Sequence, residues 1–484
     1  MRKSRINKLI LPALLICMLF GCASKPSENT SSDSSFGATG SATLINIDTD
    51  RLPYNAESVY QQLFDINNKI EVELDISDET LKQLQKDYET YENKWSKSPI
   101  YREANLKITI TTEKDSITYA IDKVGVRMKG NTSRTDFYDK KEGQYNLIHF
   151  KVDFGDRTFA TLEKLELRWN KNDDSTYIRE YYAYEMYRDF GVLAPHINLA
   201  TMKVAGEHQG VFTICEPVDK IFLEKYVAKE DQGGNLYKCN WAGGTGANLT
   251  AKCSIGVEDE EKGIFYNYDL KTNKTEADHS KIRNMFAILN KKNVTKEEIA
   301  AVVDMDNFLA FEAVTYFTGN PDDIRNDYNN YYIYFLKSSG KAVFIPYDVD
   351  RVFGLTKDWN PTGDAMTSVD PFSTMAESMG IPQENPLYIH TVNRGGYYNE
   401  EFKTVLEAVA ASKWLTTEYF NGFYETAYAR YVGDTKPDKT YDNASNHYFY
   451  MNINESSGLG STQGNASFEE YLKAKLENFK KYVQ

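Results

Sequence analysis

Apolar and polar positions alternate through residues 70–76, as in a half-buried strand. The period then lengthens, and Leu81, Leu84, Tyr88 and Tyr91 recur at helical spacing within 79–95. Strand patterns return at 106–111, 117–121, 124–128, 147–154 and 165–169, the fourth of these carrying Lys151. Asp174-Ser175 reads as the cap of a helix over 177–190 that bears Glu180 and Glu185 and stops at Gly191. Strands at 197–204 and 210–215 flank the turn Ala205-Gly206-Glu207. Glu216-Pro217-Val218-Asp219 then leads into a helical stretch through Phe222 and Tyr226.

Residues 282–289 and 297–303 have helical periodicity, and 308–317 form a mostly apolar helix ending at Gly319. A polar run, 320–330, contains Asp322, Asp323, Asn326, Asn329 and Asn330. Paired strands at 331–336 and 342–345 follow, and then Pro346-Tyr347-Asp348-Val349-Asp350. Helices are expected again at 419–431 and 468–482, with the polar region between them unassigned. Two carboxylate clusters separated by apolar strands suit metal-assisted phosphoryl transfer, because the charge of a triphosphate has to be neutralised by metal ions on oxygen ligands. Strands, a lysine strand, an acidic helix, two strands and a connector follow the order of a protein-kinase small lobe. A buried helix, an Asp/Asn loop, a hairpin and a further Asp follow the order of the large lobe.

At 484 residues, 41% apolar and 13% aromatic, the chain can bury one large core or two joined lobes. Its net charge of −14 includes Arg2, Lys3, Arg5 and Lys8 in an acid-free first 21 residues, so loss of those four cations gives −18. Such acidity argues against binding nucleic acid through a general basic surface. Residues 1–22 read as a secretory signal with a basic start, an apolar run over 9–20 and the lipobox-like Leu19-Phe20-Gly21-Cys22. That run is shorter than the ~20 residues a spanning helix needs. The expectation is a lipidated Cys22 that anchors the protein on the extracytoplasmic face of the membrane, followed by a Ser/Gly-rich tether over 23–46.

Of five cysteines, Cys17 lies in the signal, and Cys215, Cys239 and Cys253 read as structural thiols, although Cys239 and Cys253 could pair. The six histidines include no pair with zinc-ligand spacing, and neither a Walker loop nor G-x-S-x-G occurs. Glycines flank basic residues in Gly125-Val126-Arg127-Met128-Lys129-Gly130, where the backbone could approach an anion or simply end a strand in a turn. The acidic run 258–261 reads as a solvated loop.

Several blocks together resemble the spore-coat CotH kinase family: Asp304-Met305-Asp306-Asn307-Phe308, Gly319-Asn320-Pro321-Asp322, Asn330-Tyr331-Tyr332-Ile333-Tyr334 and Ile345-Pro346-Tyr347-Asp348-Val349-Asp350. Val124-Gly125-Val126-Arg127-Met128-Lys129-Gly130-Asn131, Tyr177-Ile178-Arg179-Glu180 and Gly210-Val211-Phe212-Thr213-Ile214-Cys215-Glu216 belong to the same series, in the family's order, across roughly 65–360. The resemblance implies an α+β, divergent protein-kinase-like fold with two lobes, here 47–218 and 219–484. It also implies binding of ATP with Mg²⁺ or Mn²⁺, and phosphorylation of Ser or Thr on secreted or surface proteins.

In that frame Asp322, with Asp323 as a rival, orients the acceptor hydroxyl. Lys151 with Glu180 forms the phosphate-binding ion pair; Lys129, Lys238 and Glu185 compete for these places, and Arg179 is an alternative phosphate contact. Glu216 marks the connector where adenine would meet the backbone, or else a salt bridge. Tyr347 stands where the family commonly has Trp and would stack on the purine. Asn330, Asp348 and Asp350 are the expected metal ligands. Asn326 and Asn329 rival Asn330, because the Asp322-to-Asn330 spacing exceeds that of an ordinary kinase loop. At least one of Asp348 and Asp350 is expected on the metal. ATP is scarce outside the membrane, so the competing expectation is an inactive surface binding or assembly protein on a kinase-like scaffold.

Overall fold

Strand β2 (Lys69–Asp75) buries Ile70, Val72 and Leu74 and leaves Lys69, Glu71 and Glu73 in partial contact with solvent, as a period of two requires. It pairs antiparallel with β3 (Arg102–Thr111) and parallel with β9 (Ile197–Val204). The same sheet contains β1 (Thr43–Ile47), β4 (Ser116–Lys129), β7 (His149–Asp153), β8 (Lys164–Trp169) and β10 (Glu207–Cys215). A short ribbon of β5 (Tyr138–Asp139) and β6 (Gln144–Tyr145) stands apart. The order is β1-β4-β3-β2-β9-β10-β8-β7, and β7 pairs back onto β4. With β1 outside the ring, seven strands close a barrel.

This computed structural model describes residues 42–47, 56–91, 98–130, 134–139, 143–155, 157–356, 363–374, 377, 380, 383–436, 449–454 and 466–483. The expected signal, Cys22 and most of the tether lie outside the described residues.

Closure depends on β4. Its first half has β1 as neighbour, with Ile117 opposite Thr43, and its second half has β7, with Arg127 opposite Lys151. Between the halves Lys123 takes a left-handed φ of 56°, and pairing with β3 slips between Ala104 and Leu106. This bulge bends the strand. Asn105 Oδ1 accepts a hydrogen bond from Lys123 N at 3.1 Å across it.

The barrel overturns the two-lobed, protein-kinase-like expectation. β4 is long enough to pair along both halves, so the sheet shuts on itself instead of remaining the open sheet of a separate small lobe. Strands β9 and β10 also serve two cores: Ala200, Met202, Phe212 and Ile214 join the barrel interior, while Ile197, Leu199, Val211 and Cys215 join a larger helical core. Both faces being covered explains why every residue of β9 except Lys203 is buried, Asn198 and Thr201 included. The described residues all belong to one compact unit.

A second sheet runs β12-β13-β11-β14-β15, from β11 (Leu236–Cys239), β12 (Ile255–Gly256), β13 (Tyr268–Leu270), β14 (Tyr331–Phe335) and β15 (Ala342–Pro346). Helices among the described residues are α1 (Glu57–Phe64), α2 (Asp78–Thr90), α3 (Arg179–Asp189), α4 (Lys220–Tyr226), α5 (Ser280–Leu289), α6 (Lys296–Val302), α7 (Met305–Thr318), α8 (Pro386–His390), α9 (Asn399–Ala410), α10 (Thr417–Tyr431) and α11 (Phe468–Val483). Helix α7 lays Phe308 and Phe311 on Phe344 of β15, with ring centroids 5.1 and 5.8 Å apart. It ends at Gly319, whose φ of 65° suits glycine and where any Cβ would strike the Tyr471 hydroxyl of α11.

Residues 43–46, expected as the end of the tether, form part of β1. Cys215, Cys239 and Cys253 are buried free thiols.

Candidate functional site

The inward alternation that fills the barrel sends the intervening side chains of β4, β7 and β8 outward: Arg127 and Lys129, His149 and Lys151, Glu166 and Arg168. Register places Lys151 between Arg127 and Glu166. This charged face forms one wall of a cavity of about 970 Å³. Lys238 of β11, Tyr332 of β14 and Tyr347 form another wall, and the loops after α7 and β15 contribute Asp322, Asn329, Asn330, Asp348 and Asp350.

Glu166, 4% exposed, faces Lys129 Nζ at 2.9 Å and Lys151 Nζ at 3.3 Å. Burial alone would neutralise it, but Lys129, Lys151 and Arg168 hold its carboxyl well below the usual range. Lys151 is therefore paired with its direct cross-strand neighbour, not with Glu180 as expected. Glu180, in the first turn of α3, meets Arg168 Nη2 at 2.7 Å. The other arm of Arg168, Nη1, reaches Asp348 Oδ1 at 3.2 Å.

The loop after α7 folds around Asp322. Asn329 Nδ2 donates to Asp322 Oδ1 at 3.0 Å, and Asn330 Nδ2 to the Asp322 carbonyl at 2.9 Å. Burial pushes the Asp322 carboxyl up, against the Asn329 hydrogen bond, with Asp348 adding to the rise. Asn326 and Asp323 instead bond within the loop: Asp323 Oδ1 accepts from Asn326 N at 2.8 Å, and Asn326 Nδ2 donates to the Asn320 carbonyl at 2.9 Å. Tyr328, Asn330 and Asp348 all hold left-handed φ angles of 53–54°. Such backbone persists where surrounding structure enforces it, commonly at binding sites.

Burial and the charge of Asp348 push the Asp350 carboxyl up to about 8. Asp327, desolvated and near Asp322, is raised to about 7, and its carboxylate accepts from Trp241 Nε1 at 3.1 Å. The Tyr347 ring lies beneath Lys238 Nζ at 4.6 Å and Lys129 Nζ at 5.6 Å from its centroid, and edge-on to Tyr332.

Glu216 is not on the cavity. It is 1% exposed and accepts from the Tyr60 hydroxyl at 2.9 Å and Lys225 Nζ at 2.8 Å, a salt bridge that braces α1 and α4 against β10 in place of the expected adenine contact. Arg179 is likewise structural, donating to the Phe353 and Ala466 carbonyls at 2.8 and 3.0 Å. Glu185 pairs with Arg188. The acidic run 258–261 is not simply solvated, since Glu258 meets Lys271 at 3.1 Å, Glu260 meets Arg127 at 3.6 Å, and both line the cavity. Glu166, Arg168, Asp327 and Trp241 escaped sequence reading. For the first two the signal was present in Lys164-Leu165-Glu166-Leu167-Arg168-Trp169, whose alternation puts both charges on one face.

Asp348 and Asp350, with the Asn330 side-chain carbonyl, are hard oxygen donors lining one cavity, and mutual repulsion among carboxylates there suits a cation. Among the described residues no three His, Cys, Asp or Glu side chains converge as a ready metal cluster.

Residues 126–459, 334 of the 484, match the family described as CotH kinase protein. The chain is 27% identical over 244 residues to the inner spore coat protein H of Bacillus subtilis (strain 168), a match that covers 48% of this chain. It spans 63% of that relative's length.

Proposed function

This chain belongs to the CotH kinase protein family, and from that premise we propose that it transfers a phosphoryl group from ATP to a Ser or Thr hydroxyl of an extracytoplasmic protein. The observation that carries this reading is one cavity in which a lysine-bearing barrel face confronts the loops holding Asp322, Asp348 and Asp350.

Lys129 and Lys151, already fixed by Glu166, hold the phosphates. Asp322 orients the acceptor hydroxyl, and its upward-shifted carboxyl suits it to take that proton. Asn330, Asp348 and Asp350 would hold Mg²⁺ or Mn²⁺, which would neutralise charge on the transferring group. The Cys22 lipobox would tether the protein at the outer face of the membrane. The relative is named for the inner spore coat, and for this chain we extend that only to an acceptor in a secreted or surface assembly.

A nucleotide-binding assembly protein without transfer is the second reading, favoured by the engagement of Asp348 with Arg168 and of Asp322 with Asn329. Phosphate incorporation from ATP with Mg²⁺ or Mn²⁺ separates the two. Asp322→Ala and Asp350→Ala should each lose at least about 100-fold in rate. No incorporation into the chain or a co-secreted protein rejects transfer, and a retained nucleotide-induced thermal shift then supports the second reading.

A further inference from the structure

We propose that Arg168 is a positioning residue that holds Asp348 for the divalent ion, and that Glu180 acts on that carboxylate through Arg168. This rests on the reading of Asp348 as a metal ligand.

Arg168 is 6% exposed on β8 and divides its guanidinium between Glu180 Oε1 at 2.7 Å and Asp348 Oδ1 at 3.2 Å. Its two partners differ in exposure, 11% for the Glu180 side chain and 37% for that of Asp348. Glu180 opens α3, whose Tyr181, Tyr182 and Tyr184 are buried in the helical core. Asp348 sits on a loop with a left-handed φ of 54° and a side chain 37% exposed. The anchored carboxylate therefore sets the arginine, and the arginine sets the loop carboxylate.

The neighbouring charge supports this direction. Glu166, two residues earlier on the same face, is in direct contact with Lys129 and Lys151, while the direct contacts of Arg168 are with Glu180 and Asp348. A guanidinium stays charged and holds its donors in a rigid plane, so its two arms meet carboxylates on different elements in a fixed geometry that the flexible stem and compact ammonium of a lysine do not reproduce.

The test is Mn²⁺ binding to the full chain without nucleotide, by titration calorimetry, for wild type, Arg168→Lys, Glu180→Gln and the double variant. Thermal melts and ATP-dependent phosphate incorporation are run beside it. Each single variant should bind Mn²⁺ about tenfold or more weakly, the range expected for partners of metal ligands. The double variant should be no weaker than the worse single one, because both changes break one linkage. Melting temperatures close to wild type would exclude general loss of structure as the cause.

Unchanged Mn²⁺ affinity in both single variants overturns the inference, as do losses that simply add. A wild-type chain that binds no Mn²⁺ overturns it too. Wild type that binds Mn²⁺ with the predicted coupling yet incorporates no phosphate leaves the role of Arg168 supported and rejects phosphoryl transfer.

Discussion

A carboxylate as buried as Glu216 stays ionised only where donors and cations surround it, here Tyr60, His196 and Lys225. Burial alone would raise it, but the His196 hydrogen bond and Lys225 hold it below its ordinary value. With the folded pKa below the unfolded one, this stabilisation is complete above the unfolded value and drains away as pH falls through the folded one. Glu216→Gln should therefore cost about 3 kcal/mol at pH 7, and its gap from wild type should narrow as the pH drops from about 5 toward 3. Denaturant midpoints across that range check this; a constant gap rejects it. Nothing in Cys215-Glu216-Pro217 distinguishes a nucleotide contact from a buried brace, because the deciding partners, Tyr60 and Lys225, lie on other elements. That Asp322, Asp348 and Asp350 line one cavity was foreshadowed locally, because carboxylates clustered beside apolar strands are visible in the sequence.

The loop after α7 is held from behind by a buried pair. Arg325 meets Glu312 of α7 and donates to the Asp370 and Pro371 carbonyls at 3.0 and 2.7 Å, and Glu312 also accepts from the Tyr388 hydroxyl. Arg325→Met strands Glu312 without its cation and should destabilise by about 3–5 kcal/mol, with faster amide exchange across 320–330 as the local readout. Exchange confined to distant segments would argue against this anchoring. Gly319→Ala combines a left-handed backbone with a Cβ driven into Tyr471 and should cost roughly 1–3 kcal/mol in denaturant melts. Helix α11 was readable because its apolar residues recur at helical spacing, α3 from its cap residues and closing glycine, and α7 as a long, mostly apolar run. Strands β11, β12 and β13 have four, two and three residues, too few for alternation to register.

Closure of the barrel was not legible, because its deciding contacts are non-local. Strands β2 and β9 pair in parallel across more than a hundred residues, and β4 meets β7 only after the Lys123 bulge redirects it. Local periodicity yields strands but not their partners. Since β9 and β10 line both cores, unfolding either core exposes the other. Calorimetry of the soluble protein should show one cooperative transition, with van't Hoff and calorimetric enthalpies in agreement. Two resolved transitions would contradict a common wall.

The pairing of β4 with β7 has a consequence for how a ligand bears on the chain. Lys129 and Lys151 lie on opposite sides of that joint, and both reach the same Glu166. An anion spanning the two lysines would rivet the barrel along the joint between β4 and β7. Occupancy should then be felt as slower fraying of that joint, so that the molecule records its ligand in the lifetime of its own seam.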